Sequence, residues 1–160
     1  MLETIYYKSP IGILEIKGDV NGIQYVSYIE EKFSISQENS KLKELNKCVL
    51  QLEEYFSGNR QEFELKLNPQ GTKFQQKVWN ELLNVSFNKT RSYLQQSKSI
   101  GDVKAIRAVG TANGKNPISI IIPCHRIIGS DGSLTGYAGG IWRKKWLLEH
   151  ESGCKQQSLF

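Results

Sequence analysis

The sequence predicts an α/β protein in two parts: a small antiparallel sheet with one helix over residues 1–70, and a mostly helical part over residues 71–160. Three observations point there. Short β-branched and aromatic runs, separated by turn residues, fill the first thirty positions. Apolar residues then recur at spacings of three and four, from Leu42 to Phe56 and in separate blocks after Phe74. The charge balance also reverses near residue 70. Eight Lys/Arg against eleven Asp/Glu give −3 before it, and thirteen against five give +8 after it, within an overall +5.

Taken in order, Ile5-Tyr6-Tyr7, Ile11 to Ile16 and Ile23 to Tyr28 read as strands of a meander. Ser9-Pro10 and the stretch Gly18 to Gly22 supply the turns. Residues 40–56 read as an amphipathic helix whose core side carries Leu42, Leu45, Val49, Leu52 and Phe56, with Cys48 as a small core residue. Ser57-Gly58-Asn59 ends it. Phe63 to Leu67 alternates apolar and charged residues and reads as a further strand, and Asn68 to Gly71 as a linker. Thr72-x-x-Gln75 has the form of a capping box, in which the first side chain and the fourth satisfy each other's backbone N–H. A second helix is expected near Ser92 and a third over about 103–113. Gly101-Asp102 between them gives a helix-turn-helix pattern. Ile118 to Ile122 reads as a buried strand or extended segment. A glycine-rich loop over 129–140 and a helix over about 141–151 follow.

Composition narrows the classes. No apolar run approaches bilayer length, and Met1 to Lys8 lacks the basic-then-apolar order of a signal peptide, so the cytoplasm is the expected compartment. Three cysteines (Cys48, Cys124, Cys154) and two histidines (His125, His150), with no Cys-x-x-Cys, suggest neither a disulfide framework nor a zinc site. Cys154 has no assigned role. The basic second half suits a polyanion, although a solvated basic face would read the same.

The chemistry concentrates at Pro123-Cys124-His125-Arg126. A thiol next to an imidazole and a guanidinium can be drawn toward thiolate, its nucleophilic form. A buried inert cysteine would look similar in isolation. Adjacent residues of an extended chain point to opposite sides, so a turn or a bridging water is needed if His125 is to act on Cys124. Glu149 or Glu151 on the last helix could orient the histidine. The five glycines of the 129–140 loop allow close backbone approach to a ligand around Tyr137. Ala105, Ala108, Gly110 and Ala112 give the third helix a smooth face with one large basic side chain, Arg107. That face suits a nucleic-acid groove or close helix packing equally.

These residues resemble the O6-alkylguanine-DNA alkyltransferases. The resemblance rests on Asn116-Pro117, Pro123-Cys124-His125-Arg126 and Gly136-Tyr137-Ala138-Gly139-Gly140. It extends to Gly71-Thr72-x-Phe74-Gln75-x-x-Val78-Trp79, Ser92-Tyr93, Arg107-Ala108-Val109-Gly110-x-Ala112-Asn113 and Lys144-x-Trp146-Leu147-Leu148, with Ser9-Pro10-Ile11-Gly12 as a weaker match. It covers about residues 71–151. It implies a ribonuclease H-like first domain over 1–70 and a winged-helix-like catalytic and DNA-binding domain over 71–160. Cys124 matches the alkyl acceptor, His125 its activator through a water, Glu151 the orienting acid, and Asn116 the asparagine bracing the active-site turn. Tyr93 matches the tyrosine that helps discharge the guanine, and Tyr137, Ala138 and Gly139 match the pocket wall. Arg107 matches the side chain that fills the space of an extruded base. Its helix, with Lys104, Ala108, Gly110, Thr111, Ala112, Asn113 and the following Lys115, matches the DNA-facing surface.

The implied function is single-turnover repair of O6-alkylguanine in duplex DNA, with base flipping, no cofactor and no metal, by a monomer that binds no membrane. The chain departs from the family pattern at Val85-Ser86-Phe87-Asn88, where Ile-Pro-x-Gly is usual, and at Val103, where a proline is usual. Asn88 tolerates the left-handed backbone, so the turn is expected to survive. Three other readings start from the same residues, one of them a transcription regulator built on the helix-turn-helix, a role that the resemblance gives only to fusion members of the family. A lesion-binding protein without catalysis would not need Cys124, and a cysteine hydrolase would need neither Arg107 nor the basic half.

Overall fold

The computed structural model describes residues 1–30 and 39–153; Cys154 lies outside them. Strands β1 (Glu3–Ser9), β2 (Gly12–Asp19) and β3 (Gly22–Ile29) form an antiparallel sheet in that order. Ile5 pairs with Ile16 and Tyr7 with Leu14, so the alternating apolar positions share one buried face. Helix α1 (Lys43–Phe56) covers that face with Leu45, Cys48, Leu52 and Phe56. Cys48 is the core residue expected, and burial pushes its thiol pKa up, which keeps it protonated and unreactive.

Phe63 to Leu67 does not form the expected strand. Only Leu67 bridges to the sheet, in parallel with Ile23. The segment is pinned mainly by side chains of α1. Gln51 bonds both the N–H and the carbonyl of Glu64, and Glu44 accepts from the Lys66 N–H at 2.8 Å. Ile118 to Ile122 is buried as expected, yet it is not a strand. Ile118 makes one bridge to Val26, and the chain then turns at Ile120, whose φ is 72°. A β-branched residue seldom adopts that backbone. The hydrophobic pattern reported the burial and could not report the turn.

The chain divides into two compact units. The first comprises Met1–Gln70 with Pro117–Ile121, and the second Gly71–Asn116 with the residues from Ile122 onward.

In the second unit, α2 (Lys73–Leu82) starts at the expected capping box of Thr72 and Gln75. Gly71 precedes it because a Cβ there would stand 2.5 Å from the Trp79 ring. Strand β4 (Arg91–Ser92) leads into α3 (Tyr93–Ile100), which has a second capping box, Ser92 with Gln95. Gly101, at φ 97°, ends α3. A 3-10 turn over Val103–Ala105 then opens α4 (Ile106–Gly114). Strand β5 (Ile127–Ile128) pairs in parallel with β4, and α5 (Ile141–Ser152) closes the unit.

Two polar contacts fix α4 against its neighbours. The Trp79 indole donates to the Ala112 carbonyl at 2.9 Å. Gln96 and Asn113, both buried, exchange two side-chain hydrogen bonds of 2.8 Å. Replacing Gln96 by Leu leaves the Asn113 amide buried without its partner, which costs about 1–3 kcal/mol. Denaturant unfolding of Gln96→Leu should show a loss of that size, and an unchanged midpoint would mean that water replaces the contact.

Candidate active site

Cys124, His125 and Arg126 form one 3-10 turn immediately before β5. This turn answers the difficulty raised by adjacent residues in an extended chain, because the three side chains are not held to alternate sides. All three are buried.

The Asn116 Nδ2 amide donates to the Ile122 carbonyl at 2.7 Å and to Cys124 Sγ at 3.3 Å. One amide thus braces the backbone entering the turn and touches the Cys124 sulfur. Burial pushes the Cys124 thiol pKa up. The Asn116 hydrogen bond and the Lys144 ammonium oppose that rise without cancelling it. The resting group is therefore a thiol, and a base is required to release its nucleophilic form.

A candidate for that base, His125, stands next in the chain. His125 Nε2 lies 2.7 Å from Glu151 Oε2 with both side chains buried. Burial pushes the His125 pKa down, against the pull of Glu151, so the ring is neutral at pH 7. Burial by itself would raise the Glu151 pKa, but the His125 contact and the Arg126 guanidinium outweigh it and hold the carboxyl well below the usual range. An ionised carboxylate only accepts hydrogen bonds. The proton of the neutral ring therefore sits on Nε2, leaving Nδ1 unprotonated. Nδ1 is buried and has no hydrogen-bond partner among the described residues. The other candidate acid, Glu149, lies 4.0 Å from Lys145 on the same helix and is not in this cluster.

Lys144 escaped the sequence reading, and Arg126, expected to favour the thiolate directly, is instead bound to the acid. Arg126 grips Glu151 through Nε at 2.8 Å and NH2 at 3.0 Å. Lys144, fully buried on α5, donates from Nζ to the Thr135 carbonyl at 2.8 Å. Burial lowers its pKa to about 8, while the Cys124 sulfur favours its charged form. A lysine four positions into a helix gives no signal of burial beside a thiol. Only its place within the Lys144-x-Trp146-Leu147-Leu148 motif could have marked it.

Tyr93, the first residue of α3, donates its hydroxyl to the same Thr135 carbonyl at 2.9 Å. Lys144 Nζ lies 5.8 Å from the Tyr93 ring centre. Tyr93, Lys144 and the 135–140 loop therefore meet at one carbonyl. Tyr137 and Gly139 are half-buried in that loop and Ala138 is exposed. Gly139 accepts from Arg143 at 3.0 Å.

On α4, Arg107, Ala108, Thr111 and Gly114 are exposed at the spacing of one helix face, with Lys104 and Lys115 exposed at its two ends. Gly110 is half-exposed, and a Cβ there would lie 4.0 Å from the Tyr93 ring. Ala112 and Asn113 correct the expectation that they face DNA. Both are buried, turned inward by their bonds to Trp79 and Gln96. Among the described residues no cluster of three His, Cys, Asp or Glu could hold a metal ion, and no helix is long and apolar enough to cross a membrane.

Comparison with known proteins gives a consistent result. Residues 2–69 match the ribonuclease-like domain of 6-O-methylguanine DNA methyltransferase, and residues 73–153 match its DNA binding domain. A methylated-DNA–protein-cysteine methyltransferase of Methanosarcina acetivorans is 44% identical over 151 residues, covering 92% of this chain and 97% of the relative. The crystal structure of the Mycobacterium tuberculosis O6-methylguanine methyltransferase superposes with a TM-score of 0.85 at 40% identity, covering 99% of this chain and 98% of that one. Mycobacterium tuberculosis OGT, solved in complex with DNA, matches with a TM-score of 0.82 at 43% identity over 96% and 93% of the two chains.

Proposed function

The chain belongs to the 6-O-methylguanine DNA methyltransferase family, and from that membership and the site geometry we propose that it repairs DNA by moving an alkyl group from O6 of guanine to its own Cys124. The observation that carries this reading is the buried Cys124 thiol, held by Asn116, on one turn with a histidine whose free nitrogen and acid partner are already set.

In this reading His125 Nδ1 takes the thiol proton through a bridging water, and Glu151 stabilises the imidazolium that results. The Cys124 thiolate attacks the alkyl carbon, a C–S bond forms, and the carbon–O6 bond breaks. The electron pair leaves with guanine, which recovers one proton overall, balancing the one lost by sulfur. Tyr93 supplies the hydrogen bond that discharges the guanine. Its hydroxyl must first leave the Thr135 carbonyl, and Lys144 keeps that carbonyl satisfied while it does so. The Lys144 ammonium also favours the thiolate. The thioether product has no activated bond that these residues could reopen, so each chain acts once.

The alkyl carbon of a stacked guanine is not open to in-line attack, so the nucleotide must be rotated out of the duplex. The exposed face of α4 fits the minor groove because its residues are small, and Arg107 fits the space left by the extruded base. Lys104 and Lys115 contribute phosphate contacts, which weaken as salt rises. Tyr137, Ala138 and Gly139 line the pocket. The partner is duplex DNA bearing O6-alkylguanine, met by a monomer in the cytoplasm, where an unpaired thiol stays reduced.

Titrating a known amount of protein with excess O6-methylguanine duplex tests this reading. Repair should stop at one lesion per chain. Repair continuing past that plateau favours a hydrolytic enzyme, and binding without repair leaves a lesion-recognition protein.

A further inference from the structure

Glu151 makes more contacts than a simple relay needs. Its Oε1 accepts from Arg126 Nε at 2.8 Å and from the Asn88 backbone N–H at 3.2 Å. Its Oε2 meets His125 Nε2 at 2.7 Å and Arg126 NH2 at 3.0 Å. A carboxylate offers about four lone-pair sites, and here each oxygen carries two partners. A carboxylate bonded in this way has one orientation.

Two of these partners come from one short turn or are fastened to it. Lys89 N–H closes the turn on the Ser86 carbonyl at 3.0 Å. Asn88 sits at its third position with φ 60°, a backbone that Gly, Asn and Asp adopt most readily. Arg126 spends its remaining nitrogen on the same turn, donating from NH1 to the Val85 carbonyl at 2.7 Å, with its guanidinium 5.9 Å from the Phe87 ring centre. Val85 is buried, while the Asn88 side chain is exposed and forms no part of the core.

We propose that the Val85–Asn88 turn and Arg126 form a collar that fixes Glu151 as the acceptor of the His125 Nε2–H, making Asn88 and Arg126 positioning residues for activation of the Cys124 thiol. The inference rests on the reading of Cys124 as the alkyl acceptor. It gives the left-handed Asn88, three residues before β4, a function, that of aiming an N–H at a buried carboxylate.

The charged groups facing His125 are Glu151 and Lys144 from α5 and Arg126 from its own turn; the titratable side chain of the neighbouring turn, Lys89, is exposed. The imidazolium–thiolate pair forms only as well as Glu151 supports the imidazolium. Loosening the collar makes that pair harder to form, which lowers the plateau rate, and it withdraws support from the imidazolium, so the rising limb of the pH–rate profile moves to lower pH. A change that only weakens the fold lowers the active fraction and leaves the limb in place.

The experiment is the pH profile of alkyl transfer per titrated active site, read also as iodoacetamide alkylation of Cys124 without DNA. Asn88→Val forces a β-branched residue into the left-handed region. It should move the limb down by about half a unit in both readouts and lower the plateau roughly threefold. Arg126→Lys, which removes the two-pronged grip, should move it by about one unit. Asn88→Gly, which adopts the same backbone without strain, should return the wild-type limb. Wild-type limbs in both Asn88→Val and Arg126→Lys would overturn the collar. A wild-type protein that reacts with iodoacetamide but transfers no alkyl group from DNA would instead overturn the function on which it rests.

Discussion

Glu151→Gln is expected to cost about 3–5 kcal/mol of stability and to slow alkyl transfer by about 10²–10⁴-fold. The reason is local. The Gln amide oxygen could still accept from His125 Nε2, but its NH2 group would then face donors of Arg126 or the Asn88 N–H. A buried guanidinium would also lose its counter-charge. The variant should differ in its response to acid as well. The Glu151 pKa is lowered on folding, so its contribution is complete above the ordinary carboxylate value near 4.5 and is lost as pH falls toward the folded value. That part of the acid sensitivity should vanish in Glu151→Gln. Urea titrations at neutral and acidic pH check the stability, and single-turnover transfer checks the rate. A variant as stable as the parent at pH 7 would contradict the account of the buried cluster.

Arg107→Ala should separate access to the lesion from chemistry. Extruding a nucleotide costs a few kcal/mol of stacking and pairing, and a side chain filling the gap offsets part of it. Transfer from a duplex should fall by about 10²-fold, while reaction with free O6-benzylguanine stays near the parent rate. Arg107 is exposed on α4, so its loss should leave the fold intact. Equal losses on both substrates would mean that Arg107 acts through the structure of the site and not at the DNA.

What could be read from the sequence follows from the range of the forces involved. Helix starts with local capping chemistry, such as Thr72 with Gln75, and the alternating strands of the meander were legible because a few neighbouring residues decide them. The end of α3 at Gly101 was legible for the same reason. The turn at Ile120 was not, since its residue type argues against its backbone and only the surroundings impose it. The two-residue β4–β5 pair was also hidden, because neither strand is long enough to show a period.

The site divides in the same way. Cys124 and His125 were found through their chemistry, and Asn116 and Tyr93 through the family resemblance. Choosing Glu151 over Glu149 required the family pattern, and the structure supplies the physical reason in the burial of one and the surface pairing of the other. Lys144 was quoted within a motif without a role, and Arg126 only as a charge beside the thiol, because a charged residue gives no sign in sequence that it is buried. Ala112 and Asn113 were assigned to the DNA face because their helix resembles the family's recognition helix, whereas the helix period places them against Trp79 and Gln96.

The central claim is that the alkyl group ends on one particular sulfur. Intact mass and peptide mapping after reaction with an O6-methylguanine duplex test it most directly. The account predicts a gain of one methylene per chain, located on Cys124 and absent from Cys124→Ser. Repair with Cys124 unmodified, or a methyl group found on Cys48, would contradict it.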